Sequence, residues 1–197
     1  MSTRPSQWRD TPDLVGDHVR LTALRSDHAA GILAAADDDA VFRWLAADRP
    51  STSTEAEALV ATYLARTDII MWVQVDRASG EVAGVTTYYD IDPDNRTVAI
   101  GHTWIGSRFW RTGLNTEAKL LLLRRAFDDL GCVRAVWHTD IFNERSQDAI
   151  ARLGAQREGV LRKHRLRRDG SWRDTVVFSM TDEEWPVARA ALEQQLG

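Results

Sequence analysis

A chain of 197 residues, 44% hydrophobic and 27% charged, is long enough to bury one core without covalent staples. Its single cysteine, Cys132, excludes an internal disulfide and suits a reducing, cytoplasmic setting; placed after Gly131, it reads as a small buried apolar residue. A net charge of −4, from 29 acids against 25 Lys plus Arg, gives no global case for nucleic-acid binding, and the chain holds no run of eighteen apolar residues to span a membrane.

Residues 1–13 have no apolar signal core and read as a flexible leader, ordered only if something packs on Trp8; residues 14–197 read as one domain. The run 18–24 alternates Val19, Leu21 and Ala23 with polar neighbours, a strand pattern. Residues 26–38 read as a helix opening at Ser26, and 39–45 as a second short helical piece. Residues 51–67 follow Pro50 as a helix that Ser53 or Thr54 could cap, with acids in its first turn. Three strands then follow at 69–76, 81–92 and 97–105, separated by turn residues.

A long helix comes next. Leu120, Leu123, Phe127 and Leu130 recur at helical spacing; Leu121, Leu122 and Ala126 widen that face, so the helix should be largely buried until Gly131 stops it. A strand at 133–139, a helix at 143–154, strands at 155–166 and 172–180 around the turn RDGS, and a helix at 182–196 complete the chain. Three consecutive strands imply hairpins. The strand–helix–strand unit at 97–139 implies a parallel or splayed neighbour, so the fold class is mixed α/β.

The stretch Arg108 to Ala118, RFWRTGLNTEA, places a polar turn between a strand and a helix start. Free amides and the helix dipole favour an anion there, and Gly113 would let backbone approach a phosphate. A lone glycine more often only makes a turn, and neither a Walker loop nor a dinucleotide fingerprint is present.

The wider pattern is GHTWI before WRTGLNTEA, with NERS about thirty residues on and a Gly-Ala pair after it. It resembles the GNAT superfamily of acyl-CoA-dependent N-acetyltransferases, in particular the branch of ribosomal-protein N-terminal-alanine acetyltransferases, over roughly residues 14–185. That resemblance implies an α+β fold: a mostly antiparallel central sheet of six to seven strands, helices on both faces, and a splayed pair at strands four and five. It implies acetyl-CoA as donor and no metal. The CoA diphosphate would be held by the turn Trp110 to Asn115, with Arg111, Thr112, Gly113, Leu114, Asn115 and Thr116 contributing. Trp110 stands where the family usually has Arg or Gln, and Asn115 where it has Gly or Ala. The main chain of Thr103, Trp104 and Ile105 and the side chain of Asn143 would hold the pantetheine arm, with Ser146 near the thiol.

In that reaction a neutral amine attacks the thioester, and amides near Trp104 and Ile105 could stabilise the oxyanion. The family's usual tyrosine acid has no counterpart in the helix at 143–154, which leaves Ser146. Ala99 occupies a position where several relatives carry a glutamate, so His102 is the best base by its ordinary pKa, with Asp140, Asp90 or Asp92 acting through water. The acceptor would be a primary amine of a small molecule or a peptide N-terminus, in a pocket made by 26–66 and the hairpin near 168–172, with Trp72, Tyr88 and Tyr89 as walls. The basic run RKHRLRR at 162–168 reads as a solvated strand, or as a contact for an acidic acceptor, RNA or a partner subunit. A homodimer is left open. The rival class is an acyl-CoA-binding module without turnover.

Overall fold

In the computed structural model, which describes residues 5–197, the strand-forming runs build one eight-stranded sheet. Its strands are β1 (Leu14–Val15), β2 (Val19–Ala23), β3 (Ile70–Asp76), β4 (Val82–Asp92), β5 (Thr97–Ile105), β6 (Arg134–Asp140), β7 (Gln156–Leu166) and β8 (Trp172–Thr181). Their spatial order is β1-β2-β3-β4-β5-β6-β8-β7, antiparallel throughout except between β5 and β6. The helices are α1 (Ala29–Ala35), α2 (Asp39–Phe42), α3 (Ser53–Leu64), α4 (Leu114–Arg124), α5 (Glu144–Arg152) and α6 (Trp185–Leu196). The count exceeds the expected six to seven strands because β1 pairs only two residues, too few to show a period. The splayed pair is therefore the fifth and sixth strands. No helix among the described residues is long and apolar enough to cross a membrane.

Each face of the sheet carries its own apolar layer. On one, α4, α5 and α6 bury Leu122, Ile150 and Trp185 against Ile100, Trp137 and Val176. On the other, α1, α2 and α3 bury Ile32, Phe42 and Val60 against Val85, Tyr89 and Trp104. Within α4 the four leucines 120–123 are all buried, and the helix runs on as a π turn over Arg125–Asp129 before Gly131, at φ 68°, ends it. The α3 cap is Thr52 rather than the expected Ser53 or Thr54: its hydroxyl accepts from the Glu55 amide.

Met1–Arg4, the first part of the expected leader, lie outside the described residues. Beyond them Trp8 is 2% exposed, packed into the larger apolar cluster. Arg125 donates to the carbonyls of Gln7 and Asp10, and the Trp72 indole donates to the Pro12 carbonyl, strapping 7–12 across the core.

Two features open a slit in this sheet. First, β5 and β6 stay paired only at Thr97–Arg134, Val98–Ala135 and Ala99–Val136, then part. Second, β5 bulges at His102. Thr87 faces Gly101 but Val85 faces Trp104, and His102 takes a left-handed φ of 47°. Strict alternation from Ile100 would put His102 on the α4 face and Thr103 on the other. The bulge reverses this: His102 stands beside Tyr89, while Thr103 points at α4. Histidine tolerates this backbone better than a branched residue would.

Candidate active site

A cavity of about 1030 Å³ is lined from both faces of the sheet around the parted ends of β5 and β6. The α4 side contributes Trp110, Asn115, Thr116, Lys119, Asn143, Arg145 and Ser146; the opposite side contributes Arg43, Trp44, Tyr89, His102, His138, Arg165 and Arg173.

On the α4 side the turn before the helix carries unspent donors. The amides of 111–113, 115 and 116 have no acceptor among the described residues, and that of Leu114 lies 3.3 Å from the Thr112 hydroxyl. Such amides, with the helix dipole behind them, form an anion cradle. Arg145 stacks 3.7 Å over the Trp110 ring, whose indole N–H is fixed by the Ile105 carbonyl at 3.1 Å. Burial and the nearby positive charge of Arg111 both disfavour the Arg145 charge, in that order. Positive charge thus gathers beside the free amides, with no carboxylate within ion-pair distance of either arginine among the described residues. Gly113 has a second role beside the one expected of it. Its φ of −64° is ordinary helical backbone, and a Cβ there would meet the His18 ring at 3.0 Å. The glycine makes room for His18, and the left-handed residue of the turn is Arg111, φ 63°.

Deeper in, Asn115 Oδ1 and Trp137 Nε1 are buried without partners. An acceptor and a donor left open in one cavity suit a ligand containing amides, since each amide brings one N–H and one C=O. The α4-side residues therefore fit acetyl-CoA in three ways: free amides for a diphosphate, two arginines, and orphaned groups for the pantetheine amides. Asn143 caps α5, its Oδ1 accepting from the Ser146 amide at 3.1 Å, and its Nδ2 donors are left for a ligand. The Ser146 hydroxyl has no partner among the described residues.

Lys119 escaped sequence reasoning, although a lysine inside the run TEAKLLLL is a charge in an apolar stripe. It is buried beneath the bulge and donates to Thr103 Oγ1 at 2.6 Å and Thr86 Oγ1 at 3.0 Å. With hydroxyls as its only partners among the described residues, burial lowers its pKa to about 7.

The opposite side holds the titratable groups. Desolvation, then the charges of Arg66 and Arg165, pushes His102 down to about 4, and its Nδ1 faces the Thr87 hydroxyl at 3.1 Å. It is neutral at ordinary pH but grips a proton weakly, which argues against the expectation that His102 is the base. Sequence reasoning passed over His138, whose Nδ1 is 2.9 Å from the Tyr89 hydroxyl. Burial also holds His138 below the ordinary histidine value, and burial raises Tyr89 to about 12, so that phenol stays protonated.

Asp140 is not a free base either. Its carboxylate accepts from Nε and one terminal nitrogen of Arg167, at 2.6 and 3.0 Å, and from the Phe142 amide at 2.9 Å. These contacts outweigh burial, and its pKa is lowered. Of the expected walls, Tyr89 lines the cavity, whereas Trp72 and Tyr88 are core residues packed edge to face at 5.0 Å. The basic run is a largely solvent-exposed strand, as expected, and it also borders the cavity. Arg165, Arg167 and Arg168 all line the cavity, and Arg168 ties the β7–β8 turn to Asp48 and to the Phe42 carbonyl.

A sequence model of the acetyltransferase (GNAT) domain matches residues 18–156. The "Uncharacterized N-acetyltransferase YoaA" of Bacillus subtilis is 28% identical over 86% of this chain and 96% of its own length. The [Ribosomal protein uS5]-alanine N-acetyltransferase of Escherichia coli is 29% identical over 55% of this chain and 56% of its own. Among solved structures, a GCN5-related N-acetyltransferase from Brucella melitensis superposes with a TM-score of 0.92 at 32% identity, covering 95% of this chain and 86% of that one.

Proposed function

The chain belongs to the GNAT family and is an acetyl-CoA-dependent N-acetyltransferase; from that premise we propose that it acetylates a primary amine of a small molecule or of a protein N-terminus, donor and acceptor meeting through the slit between β5 and β6. The observation that carries this reading is the two-sided cavity. Unspent amides and cations lie on the α4 face, and neutral imidazoles lie on the other.

When bound, acetyl-CoA supplies an activated acetyl thioester. We assign the diphosphate to the turn formed by Arg111, Thr112, Gly113, Leu114, Asn115 and Thr116, and the pantetheine arm to Asn115, Trp137, Asn143 and the parted edge of β5 at Thr103, Trp104 and Ile105. Ser146, with a free hydroxyl on the same side, is placed to hydrogen-bond the departing sulfur. On the acceptor side the amine must present a lone pair, so a proton has to leave it. We assign that proton to His138, oriented by Tyr89, while His102 packs against the acceptor. Holding both reactants on fixed strands supplies much of the rate through orientation. A protein N-terminus fits as acceptor because one relative is named for acetylating the alanine of ribosomal protein uS5.

The test is thiol release from acetyl-CoA over a panel of amines and of peptides with free N-termini. Release with at least one acceptor class, together with a mass increase on its amine, is expected. CoA binding without release across a broad panel would favour a binding module instead.

A further inference from the structure

Arg165 on β7 and Arg173 on β8 are register partners across the hairpin, and both line the acceptor side of the cavity. Like charges placed directly opposite each other destabilise a strand pair unless something neutralises them. The protein itself offers little. Arg173 Nε is buried without a hydrogen-bond partner; its nearest carboxylate oxygen, on Asp140, is 4.0 Å away and already committed to Arg167. Arg165 has no ion pair among the described residues. The cavity's one other carboxylate, Asp169, accepts from the Ser171 amide in the hairpin turn. Exposed Asp90, at the bend of β4, is the remaining acid whose charge reaches His138 and His164.

We propose that the acceptor is a primary amine bearing an oxyanion, a carboxylate or a phosphate, and that Arg165 and Arg173 grip that oxyanion while the amine faces His138. This deepens the acyl-transfer reading above and rests on it. A pair of guanidinium forks matches the planar carboxylate or the phosphate face, and supplies the hydrogen bonds that Arg173 Nε lacks. The charges of Arg165 and Arg173 both bear on Tyr89 and His138, so an anion held between them lies next to the assigned proton acceptor.

The test uses the full chain and matched acceptor pairs: an amino acid and its carboxamide, an aminoalkyl phosphate and its alcohol, and a peptide with Glu or Gln as its second residue. The acidic member of at least one pair should show a kcat/KM about 10-fold higher or more, mainly through KM. The responding pair tells carboxylate from phosphate. In Arg165→Met/Arg173→Met that ratio should fall toward one, and Arg173→Lys should lie between, since charge is kept and the fork is lost. Calorimetric binding of the same pairs to CoA-saturated protein reads the site even without turnover, so a failure of transfer is told apart from a failure of the anion subsite. Equal or weaker binding of the acidic members to the unaltered protein would overturn the proposal. So would an acidic preference that survives in the double variant with its melting temperature unchanged.

Discussion

His102 and His138 stand a few side chains apart and are driven to different duties by their surroundings. His102 is pressed between Tyr89 and the Thr87 hydroxyl, and desolvation and arginine charge carry it to about 4. His138 is half-buried and hydrogen-bonded to a phenol. His138→Gln should therefore lower kcat by roughly 100-fold or more, in the range of a lost general base, while His102→Gln costs under about 10-fold. Steady-state kinetics on any competent acceptor checks this, and the reverse ranking would return the base to His102. Lys119 offers a second residue-scale outcome. The unfolded chain keeps its proton up to about pH 10.5, the folded chain only to about pH 7. Between these values unfolding takes up a proton, so stability rises with pH; below pH 7 the cost of a charged buried lysine is fully present. Lys119→Met should raise the melting temperature most at pH 6, with the gain shrinking by pH 9–10. A gain independent of pH would mean that Lys119 is not the titrating group. His102 could be singled out from the sequence, whereas its left-handed backbone could not, because a bulge depends on the partner strand's register rather than on local residue type.

At the scale of elements, α4 is positioned by a knot that its own pattern does not announce. Glu117, 5% exposed, accepts from the amides of Asp17, His18 and Val19 at 2.7, 2.7 and 2.8 Å, pinning the helix start to the entry of β2. A Cβ on Gly16 would lie 2.2 Å from the Glu117 carboxyl carbon, which explains the glycine there. Glu117→Gln keeps one acceptor and turns an N–H₂ toward the amides, so it should cost about 2–3 kcal/mol. In a chain of this size that is a melting-point drop of about 5–10 °C. A drop below about 2 °C would show that the knot bears little weight. The expected bounds of β5 match the structure, since its long β-branched and aromatic run is flanked by clear turns. The two-residue β1 and the Thr52 cap were hidden for opposite reasons: one is too short for a period, and the other sits in STST, where several hydroxyls compete. The anion turn was readable as a motif. The purpose of Gly113 was not, because His18 reaches it from 95 positions away in sequence.

For the whole molecule, the sheet acts as a wall between two reactants. Helices α4 and α5 present donors and cations on one face; α2 and the β7–β8 hairpin frame the other, fastened together by Arg168, which donates to the Phe42 carbonyl and to Asp48 beyond it. The strap at 7–12 belongs to this arrangement, since Arg125 and Trp72 tie it to α4's continuation and to β3. Arg125→Met should loosen the strap, which hydrogen exchange at residues 7–12 would register before any change in global melting. The wall's two-sidedness also escaped sequence reasoning, because which face a residue occupies past a bulge depends on the bulge itself. The most direct test of this division is an amide NMR titration with CoA. Shifts should be largest at residues 111–116 and around Ser146, and small at Arg165 and Arg173. Large shifts confined to the Arg165–Arg173 hairpin, with 111–116 unmoved, would contradict it.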